Sequence, residues 1–220
     1  MQNYISFVLP THNEEKNIIP IIKKILSFTK KYQVEILVID DNSKDKTDLL
    51  VRKFSRKNKN VRLISRFGRY GLSSAIKEGC INANGDLIAV MDSDGQHDCS
   101  LIPNFLEGLR KGSDVIIGSR FIEGGSVPNF SLFRRLISRV GNFLVRYIGG
   151  VVGIKDCTSG YRAIKTSYLT EVDFSFLSTT GYSFQSSLIC DLVWRGAIVS
   201  EIPITFGKRN DGESKLSFSD

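Results

Sequence analysis

The chain has 220 residues, of which 41% are hydrophobic and 24% are charged, and its formal net charge is +7. This composition is close to the globular average, which excludes a disordered chain or a fibrous repeat, and the length suits one domain with a full core. No apolar run reaches the roughly 20 residues of a membrane-spanning helix, and the N-terminus lacks the pattern of a signal peptide. The four cysteines lie far apart without a CxxC pair, which favours a reducing, cytosolic setting.

The first 120 residues alternate short apolar strands with amphipathic segments. We predict strands at Tyr4–Leu9, Val34–Ile39, Val61–Ser65, Leu87–Met91 and Val115–Gly118. Helices are predicted between Asn13 and Tyr32 and at Asp48–Arg56, Leu72–Ala83 and Leu101–Lys111. Strands that are apolar throughout and alternate with helices predict an α/β fold with a mostly parallel sheet covered on both faces. Ligands of such sheets bind beyond the carboxyl ends of the strands, where this chain has its polar clusters.

The alternation stops after Arg120. Residues 123–130 are rich in glycine and proline and predict a loop, and the pattern of residues 131–150 predicts an amphipathic helix with its arginines opposite its apolar side. Two arrangements fit this helix: its apolar side packs on the core, or it lies in a membrane interface with the arginines near lipid phosphates. Further strands are predicted at Thr158–Ile164 and Ile198–Phe206, with a helix at about Ser183–Trp194 between them and a polar, loop-like C-terminus.

The positive charge is concentrated in one part of the chain. From Gly124 to Lys155 there is no acidic residue, and five basic residues lie in this segment. A local basic surface implies phosphates, nucleic acid or an anionic membrane as partners. We find no recognition motif with interleaved aromatic residues, so nucleic acid is not an expected partner. Because arginine binds phosphate through two parallel hydrogen bonds, a group of five basic residues is a candidate phosphate site: Arg120, Arg134, Arg162, Arg209 and Lys215.

Acidic residues follow two of the predicted strands. Asp92 and Asp94 come directly after a buried strand, where two carboxylates can offer hard oxygen ligands to Mg²⁺ or Mn²⁺; the alternative is an acidic surface turn. Asp40 and Asp41 end another strand, where a carboxylate can bind a base or ribose or can cap the next helix. The chain has neither a GxGxxG fingerprint between a strand and a helix nor a Walker A motif, which disfavours hydride transfer and P-loop chemistry.

Eight pieces of sequence occur in a characteristic order. They are Leu9–Glu14, Val38–Ser43, Met91–His97, Gly118–Arg120, Arg134 with Ser138, Asp156–Arg162, Gly181–Gln185 and Arg209–Leu216. Together they resemble the family 2 glycosyltransferases with the GT-A fold, and among them the polyprenol (dolichol) phosphate mannose synthases, over nearly the whole chain. Two positions depart from that pattern, since His12 stands where the family usually has Tyr and Ser186 stands where an acidic residue is common.

This resemblance implies a role for each matching residue. A nucleotide pocket would be lined by Pro10, His12, Glu14, Ile39 and Asp41. Mg²⁺ or Mn²⁺ on the donor diphosphate would be held by Asp92, Asp94 and Gln96, with Ser93 beside the ribose. The phosphate of a lipid acceptor would be bound by Arg120, Arg134 and Ser138, while Arg209 and Lys215 would close over the phosphates from a mobile C-terminal loop. Catalysis would rest on Asp92, Asp94, Arg120, Arg134 and Arg209.

The resemblance also implies a whole activity. A single domain would bind the nucleotide-sugar through residues 1–120 and the acceptor through residues 121–220. It would transfer a hexose with inversion, mannose from GDP-mannose, to a polyprenyl or dolichyl monophosphate. The protein would be cytoplasmic and peripherally associated with a membrane surface, and a separate membrane-anchoring subunit is compatible with this role. The alternatives are a UDP-glucose or UDP-aminosugar donor, a polysaccharide hydroxyl as acceptor, and a non-catalytic binding module.

Overall fold

A computed structural model describes residues 4–68, 70–174, 177 and 181–207 of the chain. The strands are β1 Tyr4–Thr11, β2 Gln33–Asp40, β3 Val61–Ser65, β4 Leu87–Val90, β5 Val115–Ser119, β6 Arg162–Lys165 and β7 Val199–Pro203. The helices are α1 Ile18–Phe28, α2 Thr47–Ser55, α3 Leu72–Asn82, α4 Ile102–Arg110, α5 Leu132–Ile148, α6 Thr166–Leu169 and α7 Gly181–Trp194. A 3₁₀ turn, Cys99–Leu101, precedes α4.

The seven strands form one sheet in the order β3-β2-β1-β4-β6-β5-β7. All neighbouring strands are parallel except β6, which runs antiparallel to β4 and β5. The mostly parallel α/β sheet that the sequence predicts is therefore confirmed. The direction of β6 follows from the edge of the sheet at which the chain enters it. β5 ends at the carboxyl edge, and no strand among residues 120–161 returns the chain to the opposite edge before β6 begins. An antiparallel strand needs no crossover to the opposite edge.

Helices cover both faces of the sheet. On one face the buried side chains of α1 and α4 pack against alternate residues of β1 such as Phe7, and on the other face α3 and α7 pack against the intervening ones such as Val8. Gly79 brings α3 close to the sheet, because a Cβ there would lie 2.2 Å from Cγ1 of Val8. This two-sided burial explains why the strands are apolar throughout rather than alternating.

Helix α5 is oriented the opposite way to an ordinary surface helix. Its apolar side chains are 48% to 84% exposed: Leu132, Phe133, Leu136, Ile137, Val140, Phe143, Leu144, Tyr147 and Ile148. Its polar side faces the body of the protein, where the amide of Asn142 donates to Oγ1 of Thr158 at 3.2 Å and accepts from the backbone N–H of Cys157 at 2.7 Å. The first of the two predicted arrangements, with the apolar side on the core, is therefore wrong. Among the described residues no helix is long and apolar enough to cross a membrane.

Candidate active site

The predicted site residues of the first half meet at the carboxyl edge of the sheet. β1 lies between β2 and β4, and the register pairs Thr11 with Asp40 at this edge. The turn after β4 is tied to β1, because Oγ of Ser93 donates to the carbonyl oxygen of Pro10 at 2.8 Å. The loops that follow these three strands consequently share one surface, as expected of a ligand site in an open parallel sheet.

The residues predicted to line a nucleotide pocket are held by the protein itself. Nδ1 of His12 lies 2.9 Å from the carbonyl oxygen of Asp41, and the buried carboxylate of Glu14 accepts from Nδ2 of Asn17 at 2.8 Å. Ile39 is wholly buried on the side of the sheet that α3 covers, so its side chain lies in the core. Backbone groups at this position remain near the edge, at the end of β2.

The two adjacent aspartates after β2 have different surroundings. Asp40 accepts hydrogen bonds from the backbone N–H and the hydroxyl of Ser43, which is the capping role; burial raises the pKa of Asp40, and the bonds from Ser43 oppose the rise. Asp41 accepts from the backbone N–H groups of Tyr70 and Gly71 at 3.0 and 2.9 Å and is 2.9 Å from Nη1 of Arg66. Asp41 therefore fixes the loop after β3 against the carboxyl edge of the sheet.

The Met91–His97 turn is locked by bonds at each of its acidic residues. Oδ2 of Asp92 is 3.1 Å from Nε2 of His97, whose buried ring contacts the rings of Tyr161 and Phe206. Oδ1 of Asp94 accepts from the backbone N–H of Gln96 at 3.0 Å, and Gly95 between them has a φ of +82°, which glycine adopts readily. The two carboxylates thus leave the end of β4 in a fixed turn.

The same turn fits a divalent cation in its ligand chemistry. Asp94 is buried and Asp92 is partly buried, which argues against a simple acidic surface turn. Nε2 of Gln96 donates to the carbonyl oxygen of Gly207 at 2.9 Å, so the donor half of this amide is used and its carbonyl oxygen is the half that suits a hard cation. The described part of the chain contains no cluster of three or more His, Cys, Asp or Glu side chains placed to hold a metal. A cation here would take its other ligands from phosphate or water.

Arg120, at the end of β5, is part of a buried ion pair. Its Nε and Nη2 atoms donate to the two carboxylate oxygens of Asp156, each at 2.7 Å, and its backbone N–H donates to the same side chain at 2.9 Å. Asp156 is wholly buried, and its own backbone N–H donates to Glu201 of β7 at 3.0 Å. The guanidinium is therefore pre-positioned, and its charge is balanced by a carboxylate that the sequence analysis did not assign.

Aromatic rings link Arg120 to Arg134 near the start of α5. The guanidinium of Arg120 lies 5.7 Å from the ring of Phe206, Phe206 meets Phe130 edge to face at 5.8 Å, and Arg134 stacks 4.1 Å above Phe130. Ser138 lies one turn after Arg134 and is partly buried. The three residues predicted to bind an acceptor phosphate therefore lie near the start of α5, but the rings of Phe206 and Phe130 separate Arg120 from Arg134.

Arg162 differs from its prediction as a phosphate-binding residue. Its side chain is wholly buried and donates to the carbonyl oxygens of Ser159, Cys157 and Gln185. Burial lowers the pKa of Arg162 to about 10. Arg162 therefore organises the backbone beneath the site and has no surface with which to meet a phosphate. Arg209 and Lys215 lie outside the described residues.

Several residues of this region were missed by sequence reasoning. Asp156 lies in one of the eight characteristic pieces of sequence but was given no role, because the arginine that it pairs with lies 36 residues away in sequence. Phe206 lies at the end of a predicted strand, where an aromatic residue is typical of the core and does not indicate a site. Arg135 and Arg139 belonged to the predicted polar side of the amphipathic helix, but nothing in their spacing separated them from Arg134.

Known proteins resemble this chain in sequence. Residues 6–172 match the family described as Glycosyl transferase family 2. A dolichol-phosphate mannosyltransferase of Pyrococcus furiosus is 36% identical over 96% of this chain, and the chain spans 59% of that protein's length. A polyprenol monophosphomannose synthase of Mycolicibacterium smegmatis is 35% identical over 96% of this chain and 80% of its own length.

A solved structure shares the fold. The glucosyl-3-phosphoglycerate synthase of Mycobacterium tuberculosis, crystallised with Mn²⁺ and UDP-glucose, superposes with a TM-score of 0.71 at 22% identity, over 97% of this chain and 73% of that one. The fold is that of the GT-A glycosyltransferases. The chain therefore belongs to glycosyl transferase family 2 and is a glycosyltransferase.

Proposed function

We propose that this enzyme transfers mannose from GDP-mannose to a polyprenyl or dolichyl monophosphate, with inversion at the anomeric carbon, at the cytoplasmic face of a membrane. The observation that carries the proposal is the exposed apolar side of α5, a helix whose Arg135 and Arg139 line a cavity together with Arg120 and residues of the 121–128 loop. Exposed apolar surfaces mark sites of membrane or protein contact, and an enzyme that acts on a lipid acceptor requires the first of these. The names of the Pyrococcus and Mycolicibacterium relatives support the same acceptor class.

The acceptor's own ionisation simplifies the chemistry. A phosphate monoester has a second pKa of about 6 and is largely a dianion near neutral pH, so it needs no carboxylate base to become a nucleophile. The main electrostatic obstacle is the repulsion between the donor diphosphate and the acceptor phosphate. Arg120 and Arg134 would reduce this repulsion on the acceptor side and keep the nucleophile aimed, which is catalysis by pre-organised charge.

The donor side of the site would bind the nucleotide-sugar and stabilise its leaving group. Pro10, His12, Glu14, Asp41 and Ser93 would bind the nucleoside. Mg²⁺ or Mn²⁺ held by Asp92, Asp94 and Gln96 would stabilise the negative charge that develops on the leaving diphosphate. The Mn²⁺ in the mycobacterial neighbour supports a divalent cation in this fold. Arg209 and Lys215 would add positive charge over the same phosphates.

The proposal is tested with a panel of donors. Purified enzyme, Mn²⁺ and a short polyprenyl phosphate are incubated separately with GDP-mannose, UDP-glucose and a UDP-aminosugar, and products are identified by mass spectrometry. We expect a mannosyl phosphoprenol from GDP-mannose. A product from a UDP-sugar instead would overturn the donor assignment, and transfer only to a sugar alcohol would overturn the acceptor assignment.

A variant tests the cation site separately. Asp94→Ala is expected to lose at least 100-fold in transfer rate, on the order of the loss when one charge-stabilising group is removed from a transition state. Wild-type protein should also gain thermal stability from GDP-mannose only when Mn²⁺ is present, since a ligand stabilises the state that binds it. Full transfer by Asp94→Ala in chelator-free buffer would contradict the role of this residue.

A further inference from the structure

His97, the last residue of the Met91–His97 turn, has no role in the proposed function. Its side chain is only 2% exposed, whereas that of Asp92 is 32% exposed. Nε2 of His97 lies 3.1 Å from Oδ2 of Asp92, which is within hydrogen-bond distance. A buried imidazole therefore contacts one of the two carboxylates that would hold a cation.

The imidazole is held by aromatic rings from distant parts of the chain. The ring centroids of His97 and Tyr161 are 4.8 Å apart, and Phe206 meets the imidazole edge to face at 5.6 Å. Tyr161 is itself fixed, because Phe105 stacks on its ring at 4.4 Å and its hydroxyl donates to the carbonyl oxygen of Asp98 at 3.2 Å. The position of Nε2 is consequently set by packing and not by the turn alone.

The surroundings of the other ring nitrogen indicate where the proton of the imidazole lies. Nδ1 of His97 is buried and makes no hydrogen bond to any described residue. A proton on Nδ1 would therefore be a buried donor without a partner. If it were the only proton of the ring, the lone pair of Nε2 would also face the lone pairs of Asp92. A single proton on Nε2 avoids both costs, because it donates to the carboxylate and leaves only an acceptor unpaired.

The two carboxylates of the turn are held in different ways. Asp94 accepts from a backbone N–H of the same turn, that of Gln96. Asp92 accepts instead from the side chain of His97, and next to it lies Gly160, where a Cβ would be 3.4 and 3.5 Å from Oδ1 and Oδ2. The imidazole thus fixes the carboxylate of Asp92, and the glycine keeps the adjoining space clear of a side chain.

We propose that His97 is a positioning residue for the divalent cation, because its Nε2–H group holds the carboxylate of Asp92 in the orientation that the cation requires. The inference rests on the proposed function, in which Asp92, Asp94 and Gln96 hold Mg²⁺ or Mn²⁺ on the donor diphosphate. Loss of the hydrogen-bond partner of a metal ligand typically costs about 10- to 100-fold in metal affinity or activity. His97 acts through Asp92 in this role and does not touch the substrate.

The test compares two amides at position 97. Glutamine carries its amide N–H₂ group one bond farther from the backbone than asparagine, so His97→Gln can keep a donor for Asp92 whereas His97→Asn removes it. GDP and UDP are titrated calorimetrically into each protein, once with Mn²⁺ and once with EDTA, and the ratio of the two affinities measures the contribution of the cation. We expect this ratio to fall about 10- to 100-fold in His97→Asn and less than about threefold in His97→Gln.

Two further readouts distinguish positioning from a general loss of packing. Nucleotide affinity in EDTA should be the same in wild type and both variants, which a loosened site would not preserve. Tyr161→Phe keeps the ring against His97, removes only the hydroxyl bonded to Asp98, and should keep the wild-type ratio. In transfer assays His97→Asn should need a higher Mn²⁺ concentration for half-maximal rate, while its kcat at saturating Mn²⁺ stays close to that of wild type.

The possible failures are separable. If Mn²⁺ does not raise the affinity of wild type for either nucleotide, the cation site of the proposed function fails, and the role of His97 fails with it. If Mn²⁺ raises nucleotide affinity equally in wild type and His97→Asn, the role of His97 fails alone. A measurement on wild type decides the case in which neither variant folds. The chain has two histidines, His12 and His97, and ¹⁵N NMR of their rings should find the proton of His97 on Nε2; a proton on Nδ1 would overturn the proposal.

Discussion

If the exposed side of α5 binds a membrane, removing its apolar side chains should weaken vesicle binding by a predictable amount. Leu136 and Ile137 are 60% and 53% exposed. Complete burial of such a side chain is worth about 1.5–3 kcal/mol, so burying the exposed half of each contributes about 1 kcal/mol. The double variant Leu136→Ala/Ile137→Ala should therefore lose about 2 kcal/mol of membrane affinity, which is about 30-fold in the partition coefficient.

The chain provides its own reporter and a matched control. Its single tryptophan, Trp194, is exposed and donates from Nε1 to the carbonyl oxygen of Gly149, immediately after α5. Titration with vesicles of neutral and anionic phospholipids should shift its emission to shorter wavelength, and co-sedimentation gives the partition coefficient. Leu49→Ala/Ile81→Ala removes two side chains of similar exposure, 62% and 63%, from α2 and α3 and should bind vesicles like wild type.

Two results would refute this reasoning. Equal partition coefficients for the two double variants would show that α5 is not the membrane-binding surface. An unchanged Trp194 emission at vesicle saturation would place the bound membrane away from the C-terminal end of the helix. Loss of fold does not confuse the comparison, because substitutions at exposed positions change the free energy of unfolding by only about 0.5 kcal/mol, and urea denaturation verifies this for each variant.

Two further predictions concern buried charges. Asp156→Ala leaves the Arg120 guanidinium buried without its partner and should cost about 3–5 kcal/mol in urea denaturation, while adding Arg120→Met should recover part of the loss; additive costs would contradict a paired role. Burial raises the pKa of Glu35, but hydrogen bonds from Ser6, Asn84 and Arg62 outweigh this effect, and the net pKa lies below its ordinary value of 4.5. Such a group stabilises the folded state at pH values above its unfolded-state pKa. The difference in free energy of unfolding between wild type and Glu35→Gln should therefore be constant near neutral pH and become smaller as the pH falls below about 4.5. A difference that does not change with pH would contradict this.

Much of the sheet could be predicted because local pattern and final environment agree there. Strands β1, β2, β4 and β5 are mainly apolar runs that stay buried on both faces, whereas the edge strand β3 is partly buried; the structure has each of the five within about two residues of its predicted bounds. The reversal of β6 could not be predicted, since it depends on which edge of the sheet the chain has reached after residues 120–161, which form loops and one helix. The strand predicted at Thr158–Ile164 begins at Arg162 in the structure.

The arginines show why the site was harder to predict than the fold. Arg120 and Arg162 both lie in polar surroundings near strand ends. Arg120 lines the cavity beside the 121–128 loop, whereas Arg162 is wholly buried among carbonyl oxygens. The difference comes from contacts made by residues far away in sequence. The same problem arises on α5. Successive residues of a helix point about 100° apart, and this difference decides whether Arg134 or Arg135 lines that cavity.

The orientation of α5 connects membrane binding with acceptor capture. A helix that turns its apolar side outward gains little from the core. Val145 is its contact with the buried apolar cluster, and polar contacts of Asn142 and Arg135 hold it as well. Apolar surface that the fold leaves exposed is stabilised only when a partner covers it. If a membrane is that partner, the same helix brings the arginines of its opposite side next to the layer where phosphate headgroups lie. Docking would then deliver the lipid phosphate to the acceptor side of the site, and variants that abolish vesicle binding should raise the acceptor KM while leaving the donor KM unchanged.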